Sequence, residues 1–378
     1  MKNYFGTDKK FRFQFPLDGD CINKYDGTET EKGIVISVEV VTGSSDDDIY
    51  INEKKAIYKD GVYTADILID AYRNTLFADN KKTGEQTKIV VYKLSDAMGK
   101  YRLSSDDNII FLADINEHKD VYKSVFENPY LAMYKKAHDL YGAKVHLNLF
   151  YEFNDESASH FTGKREYFDL SMMTDKFKDE FIANSDWLKF SFHAKANDPD
   201  MPYKNTTYEE LSRDIERSHK EIIRFAGKET LSNVLTLHWG ESNIAGVRAL
   251  RHAGYEGITG YFEVKPNGDP LVAYYYPADF VKHVGARDFW KDTDEDIMYG
   301  RIDNVLNTIK LEQVVPTLEG IYAEPKRAGF ISIMIHEQYF HSDYKAYIPE
   351  FEDIVLTACK WLYEHDYKGA FMSETMFK

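Results

Sequence analysis

The chain has very little cysteine and no long apolar run. Among its 378 residues the only cysteines are Cys21 and Cys359, and two such distant residues match neither a disulfide framework nor a cysteine zinc site. No apolar stretch is long enough to span a membrane, and the N-terminal MKNYFGTDKKFRFQF lacks the apolar segment of a signal peptide. We therefore expect a cytoplasmic protein that makes no membrane contact.

Positive charge is also scarce. The 47 Lys and Arg residues are outnumbered by 63 Asp and Glu residues, which gives a formal net charge of −16. Such a chain repels polyanions, so neither nucleic acid nor an anionic membrane surface is an expected partner. The charge does not identify a substrate, and the oligomeric state is left open.

Helical periodicity is absent from residues 1–100. Short runs rich in β-branched and aromatic residues, such as GIVISVEVV and TKIVVYKL, alternate with turn clusters such as KDG and TGSSDDD. This pattern predicts an all-β domain over residues 1–100, an immunoglobulin-like β-sandwich. The segment 95–107 is the candidate boundary, and the sandwich is expected either to support its neighbour or to bind glycan.

From about residue 105 the pattern changes to alternating strands and helices. Helices are expected between successive apolar runs, and 207–227, with its Thr cap and terminal Gly, is the strongest of them. The predicted strands are 108–114, 144–152, 187–195, 233–240, 257–263, 296–306, 329–338 and 369–374. This alternation predicts an α/β barrel of the (β/α)7-8, TIM-like type over residues 105–378. The long connection 263–296 predicts a hairpin near the mouth of the barrel.

Polar side chains with acid–base or metal-binding capacity stand at nearly every predicted strand end. In β/α barrels the active site lies at the carboxyl ends of the strands, so this ring predicts a hydrolytic enzyme. Its members are Asp114, Glu152, His193, His238, Asp303, His336, Glu337 and Glu374. Each also has a purely structural interpretation, as a helix cap, a rim carboxylate or a buried core histidine.

Two chemistries fit this ring. One Asp and two or three His residues from separate strands suit Zn²⁺ or a similar divalent ion, with a further His as proton donor. A pair of carboxylates across the mouth would instead support glycoside hydrolysis without a metal. A third possibility is a carbohydrate-binding protein without catalysis.

Three segments resemble the polysaccharide deacetylase (NodB-like) superfamily. FLAD at 111–114 resembles its first-strand Asp-Asp motif, HAKAN at 193–197 its His-x-x-x-His motif, and IMIH at 333–336 the late strand that ends in its general-acid His. The chain also resembles uncharacterised bacterial proteins that have a β-sandwich before such a barrel. The resemblance covers roughly 105–378 and implies a distorted β/α barrel, a bound divalent metal, most simply zinc, and removal of an acyl group from a carbohydrate.

The match departs from the family at several positions. The family's first Asp, the general base, corresponds to Ala113, and its second motif His corresponds to Asn197. The family's Arg-Pro motif has no counterpart near LHWGES. The resemblance therefore implies a metal set of Asp114, His193 and His238, and the base would have to be Glu117, Glu152, Glu337 or Glu374. His336, assisted by Glu337, is the predicted acid.

Overall fold

The computed structural model describes residues 2–94 and 96–377. Met1, Ser95 and Lys378, which belong to the predicted domain ranges, lie outside these described residues. None of the described helices combines the length and the apolar character needed to cross a membrane. Cys21 and Cys359 are both buried and unpaired.

The N-terminal part consists of two small sheets facing each other. Its strands are β1 (Arg12–Phe15), β2 (Cys21–Ile22), β3 (Thr28–Thr30), β4 (Gly33–Val41), β5 (Ile49–Ile51), β6 (Lys54–Lys55), β7 (Ile57–Lys59), β8 (Val62–Ile69), β9 (Arg73–Asn80) and β10 (Gln86–Lys93). One sheet has the order β1-β4-β8-β7, with β3 added beside β4, and the other β2-β10-β9-β5-β6. Alternate residues of both sheets, among them Ile36, Val38, Ile51 and Val91, form a shared apolar core. All the regular elements described from Arg12 to Lys93 are strands, and the immunoglobulin-like domain stays a prediction.

The rest of the chain alternates strands with helices. Its strands are β11 (Lys100–Asn108), β12 (Val145–Phe150), β13 (Glu152–Phe153), β14 (Phe168–Asp169), β15 (Leu188–Ala194), β16 (Val234–Leu235), β17 (Gly257–Gly260), β18 (Glu263–Val264), β19 (Pro270–Leu271), β20 (Phe289–Asp292), β21 (Ile297–Arg301), β22 (Asn304–Val305), β23 (Phe330–His336) and β24 (Lys368–Gly369). Its helices are α1 (Ile110–Glu117), α2 (Pro129–Tyr141), α3 (Asp155–Ala158), α4 (Lys178–Ala183), α5 (Tyr208–Ala226), α6 (Ile244–His252), α7 (Ala278–Val284), α8 (Leu311–Tyr322) and α9 (Phe351–Glu364).

Two sheets contain most of these strands, and β13–β14 and β18–β19 form separate two-stranded sheets. The larger is parallel, in the order β15-β12-β11-β23-β22, with β24 also paired to β11; the smaller has the order β16-β17-β21-β20, in which only β20 runs antiparallel. A single bridge between Phe190 and Leu231 links the two sheets near β15 and β16. Within the described residues the ladders do not close into one continuous cylinder, so the closed or nearly closed barrel stays a prediction.

The strand predicted over 108–114 is wrong. The strand at this place, β11, ends at Asn108, and the apolar run that follows is the helix α1. Polar residues such as Arg102, Ser104 and Asp106 are buried on β11, which is why this strand resembles a turn-rich boundary in the sequence. The predicted boundary 95–107 thus contains most of the central strand of the larger sheet.

The last predicted strand is also partly wrong. Only Lys368–Gly369 is a strand, and Met372–Glu374 is a short 3-10 helix. The runs at 144–152, 187–195 and 329–338 are confirmed as β12, β15 and β23. The insertion 263–296 contains the predicted hairpin, β18–β19, followed by α7 and β20.

Candidate metal centre

Three buried side chains meet where β11, β15 and β16 end. Asp107 is the penultimate residue of β11, His193 lies near the end of β15, and His238 opens the turn that follows β16. Asp107 has a left-handed backbone (φ 61°), a conformation that Asp tolerates better than bulkier residues. All three side chains are more than nine-tenths buried.

One atom from each side chain faces the other two. Asp107 Oδ1 lies 3.0 Å from His193 Nε2 and 3.3 Å from His238 Nδ1. The two histidine nitrogens are 3.1 Å apart. Ligands about 2.1 Å from a tetrahedral zinc ion are about 3.4 Å apart. The observed spacing is therefore close to that of three ligands of one ion.

Backbone carbonyls fix which nitrogen of each histidine bears the proton. The Thr236 carbonyl is 2.6 Å from His193 Nδ1, and the Asn197 carbonyl is 2.9 Å from His238 Nε2. A carbonyl can only accept, so these two nitrogens donate, and in neutral histidines the opposite nitrogens hold lone pairs. Two lone pairs then point at a carboxylate oxygen with no proton between them. A bound cation would relieve this repulsion, and carbonyl-oriented histidines are typical of metal sites.

The electrostatics of the group favour a positive charge at its centre. Burial alone would raise the pKa of Asp107, but His336 and the close contacts with His193 and His238, which become hydrogen bonds when those rings are protonated, hold that pKa well below its usual range. Burial would lower the pKa of His193, but the carboxylates of Asp106 and Asp107 and the Thr236 carbonyl raise it above its usual value. Without a metal, the group would thus attract a proton.

Further polar groups surround the three side chains. Gln338 donates to Asp107 Oδ2 at 2.6 Å. The adjacent Asp106 accepts from Asn148 through Oδ1, also at 2.6 Å, and its Oδ2 accepts no hydrogen bond from a described residue. Asp106 is thus a second carboxylate beside the centre, with one oxygen available.

His336 lies at the end of β23, in register with Asp106 on β11. The Asn307 Oδ1 oxygen accepts from the His336 backbone N–H at 3.2 Å and lies 2.8 Å from its Nδ1. Nδ1 therefore donates as well, which leaves Nε2 free of hydrogen bonds to described residues.

A cleft of about 510 Å³ opens over this group. His193, His238, Asp106, Asp107 and His336 all line it, so the candidate ligands and the two candidate proton-transfer groups share one space. Its walls also include apolar and aromatic side chains, namely Trp239, Tyr261, Leu271, Val272, Met334, Tyr339 and Tyr344. Such a mixture of apolar walls and few convergent polar groups is typical of small-molecule sites.

Asp114 is not brought to the two histidines. It lies in α1, where its carboxylate accepts from Tyr122 at 3.1 Å and from Asn128 at 2.7 Å, and lies 3.2 Å from His118. The structure thus brings Asp107, and not the predicted Asp114, to the two histidines. The neighbouring expectation, that Ala113 replaces the base, rested on the same misplaced strand.

Glu337 is engaged with backbone. It is fully buried; its Oε2 accepts from the N–H groups of Ile109 and Ile110, and its Oε1 accepts from Phe111 at 2.6 Å. These are free N–H groups at the start of α1, so Glu337 caps that helix. It is absent from the cleft-lining residues, in contrast to the expected role beside His336.

The other predicted glutamates are also absent from the residues that line the cleft. Glu152 Oε1 is 3.4 Å from Lys195 Nζ. Glu374 forms a 2.6 Å ion pair with Lys144, the residue just before β12, and so lies at the amino end of the sheet, opposite the cleft. Glu117 is an exposed residue at the end of α1. The structure therefore does not bring these carboxylates together as a catalytic pair.

Sequence reasoning missed Asp106 and Asp107. The signal was present as SSDDN, two adjacent carboxylates just before a buried apolar run. It was overlooked because the residues before it look like a turn. Asn197 takes part through its backbone carbonyl, while its side chain donates to Asp198 at 2.9 Å.

No family model matches the chain, and no curated protein sequence matches it. The solved structures that are similar to it include the following two. A mutant of BA3943, described as a CE4 family pseudoenzyme with restored enzymatic activity, is 10% identical, with 79% of each chain covered and a TM-score of 0.34. The catalytic domain of the GH26 endo-β-1,4-mannanase of Bacillus sp. JAMB-750 is 13% identical; 74% of this chain and 80% of that one are covered, with a TM-score of 0.27. Both TM-scores are low, so neither likeness carries an argument about function.

Proposed function

We propose that the chain is a metal-dependent hydrolase that removes an acyl group from a carbohydrate. The observation that supports the metal is the convergence of Asp107 Oδ1, His193 Nε2 and His238 Nδ1 within 3.3 Å of one another. One carboxylate and two neutral imidazoles form a donor set that suits zinc. A divalent ion held there supplies a Lewis acid that polarises an acyl carbonyl and lowers the pKa of water.

Proton transfer in this proposal belongs to Asp106 and His336. Asp106 is fixed by Asn148 and keeps one oxygen available to take a proton from water. Asn307 accepts from His336 Nδ1, so in the protonated ring Nε2–H is the group that gives a proton to the leaving group and leaves a neutral imidazole. General acid–base catalysis of this type contributes about 10²–10⁴-fold in rate.

The carbohydrate is proposed from the cleft and from the sequence motifs. Aromatic walls with scattered hydroxyl, amide and carboxylate groups suit a sugar, which has apolar ring faces and a polar edge. The Asp-Asp pair at the end of β11 and the terminal His of β23 fit the first-strand Asp-Asp motif and the late-strand His of the deacetylase resemblance, with residues 106–107 in place of the FLAD segment at 111–114. A metal-independent glycosidase would need a facing carboxylate pair, and Glu152, Glu337 and Glu374 are all absent from the residues that line the cleft.

Metal content tests the proposal directly. Protein purified without chelator is expected to hold one divalent ion per chain, measured by elemental analysis. Asp107→Asn removes the charged ligand and is expected to abolish stoichiometric binding. Asp114→Asn, the matched control, removes a carboxylate that bonds only within and beside α1 and is expected to leave the metal content unchanged.

Activity is measured with the same proteins. Acetate release from an acetylated oligosaccharide is expected to need the metal, to stop on treatment with EDTA and to return when Zn²⁺ is added. If the wild-type protein holds no metal, or if Asp107→Asn changes neither metal content nor acetate release, the proposal is wrong. Cleavage of the glycosidic bond in the presence of EDTA would support a glycoside hydrolase instead.

A further inference from the structure

The cleft above the centre is negatively charged. Four aspartates line it, Asp106, Asp107, Asp198 and Asp200, and the described residues that line it include no Lys or Arg. A divalent ion would compensate the first two carboxylates. Asp198 and Asp200 lie on the loop after β15. Asp198 accepts from Asn197 at 2.9 Å and lies 3.3 Å from His160 Nε2, whereas Asp200 is exposed and forms no ion pair with a described residue. Negative charge therefore remains in the cleft when the metal is bound.

Trp239 is an exposed aromatic ring beside the centre. It directly follows the candidate ligand His238, the two ring centroids are 6.0 Å apart, and its side chain is 42% exposed although it lines the cleft. An indole exposed to this degree leaves a large apolar face in water. A ligand ring stacked on it would cover that face and lie next to the metal.

The backbone holds Trp239 in this exposed position. Trp239 has a left-handed φ of 63°, which is uncommon for a bulky residue. The next residue, Gly240, donates to the Leu237 carbonyl at 2.7 Å and accepts from Tyr274 N–H at 2.7 Å. A Cβ on Gly240 would lie 2.2 Å from Val272 Cγ1, so the turn packs tightly on the hairpin side of the cleft. Strained backbone that tertiary contacts hold in place is often found at ligand sites.

From these features we infer that the cleft selects glycans with free amino groups, stacked on Trp239, and rejects glycans with carboxylate or sulfate groups. The inference rests on the proposed function, because it names the class of carbohydrate that the same site takes. Ammonium groups on sugars next to the acylated one would lie near Asp198 and Asp200 and be attracted, whereas carboxylates would be repelled. Asp198 and Asp200 are then specificity residues, and Trp239 is the stacking surface.

Binding of three tetrasaccharides to the metal-loaded protein tests this selectivity. The probes are the tetramers of glucosamine, N-acetylglucosamine and galacturonic acid, which are cationic, neutral and anionic, and the measurement is calorimetric titration at low and high salt. We expect glucosamine tetramer to bind at least about tenfold more tightly than galacturonate tetramer at low salt, and this ratio to shrink at high salt because ions screen the attraction.

Variants locate the effect. The double change Asp198→Asn with Asp200→Asn is expected to bring the cationic-to-anionic ratio close to one. The matched control, Asp60→Asn with Asp120→Asn, makes the same change in net charge outside the cleft and is expected to keep the ratio. Trp239→Ala is expected to lower the affinity for every tetrasaccharide that the wild type binds by about tenfold. Trp239→Phe is expected to restore most of that affinity. Thermal melting confirms that each variant is folded.

The outcomes separate the two proposals. Galacturonate binding as tight as glucosamine binding, no binding of any probe, or an unchanged ratio in the cleft double variant would each overturn the selectivity. Acetate release at equal rates from acetylated glycans of positive, zero and negative charge would also overturn the selectivity, but it would agree with the proposed hydrolase. Selective binding of glucosamine tetramer by a protein that never releases acetate supports the selectivity and contradicts the hydrolase.

Discussion

His238 contributes to the candidate centre through a nitrogen that a backbone carbonyl orients. The Asn197 carbonyl accepts from Nε2, so Nδ1 faces Asp107 and His193. The sequence suggested Asn197 as a weak substitute for a histidine ligand. The structure instead uses this residue through its main chain, a role that does not depend on its side chain and that a sequence motif cannot reveal.

A substitution at residue 197 separates these two roles. Asn197→Ala keeps the carbonyl and is expected to leave the metal affinity within a few-fold of the wild type. His238→Ala removes a ligand and is expected to weaken binding beyond the roughly 10–100-fold that loss of an outer partner costs. Competition with a metal-sensitive dye measures both affinities. Loss of metal from Asn197→Ala alone, in a folded protein, would show that its side chain is needed.

The helices and strands differ in how far the sequence predicts them. The helix α5 is predicted well because its Thr207 cap, first-turn acids and terminal Gly227 all act locally. The strand β23 is recognisable as an apolar run. By contrast, β11 is buried but partly polar, and α1 is an apolar run that a strand could equally explain. The candidate centre is formed by side chains that follow separate strands. Which residues belong to it can therefore be seen only in the tertiary structure.

The cap that Glu337 forms at the start of α1 can be tested by substitution. Its two oxygens accept three backbone N–H groups at the start of α1. In Glu337→Gln an amide N–H₂ replaces one oxygen and faces a buried N–H donor, so we expect a loss of about 2–3 kcal/mol in the free energy of unfolding. Urea unfolding measures it, and the residual activity per folded molecule should stay close to that of the wild type.

The matched control for this change is Glu352→Gln. Glu352 is in the first turn of α9, where it pairs with Lys136 as a half-exposed side chain. Exposed ion pairs contribute at most about 1 kcal/mol. If Glu337→Gln abolished activity without lowering stability, Glu337 would be a catalytic residue, as the sequence suggested.

At the scale of the whole molecule, a buried ionic network joins the sandwich to the insertion 263–296. Asp20 is fully buried; its Oδ1 lies 2.6 Å from His283 Nε2 and 3.4 Å from Arg287 Nε, and its Oδ2 accepts from Leu17 N–H. Arg287 also pairs with Asp26. The same insertion lines the cleft through Leu271 and Val272. This arrangement supports a structural role for the sandwich, which fixes the segment that completes the cleft.

The pH dependence of stability tests this network. Burial alone would raise the pKa of Asp20, but Arg287 and His283 lower it below its ordinary value of 3.8. The folded state therefore favours the ionised carboxylate, and its stabilisation is fully present above that value and lost as the pH falls through the lowered pKa. Asp20→Asn is expected to cost about 3 kcal/mol near pH 7, and this difference from the wild type should shrink below about pH 4.

Urea unfolding of both proteins between pH 3 and 7 measures that difference. The control is Asp294→Asn, which removes an exposed carboxylate that pairs with Lys2, and it should change stability by less than about 1 kcal/mol. A destabilisation of Asp20→Asn that is equally large at pH 3 and pH 7 would mean that packing, rather than the ionised carboxylate, holds the sandwich to the insertion. A destabilisation that disappears in acid would mean that the ionised carboxylate of Asp20, in the sandwich, stabilises the insertion that forms one wall of the cleft.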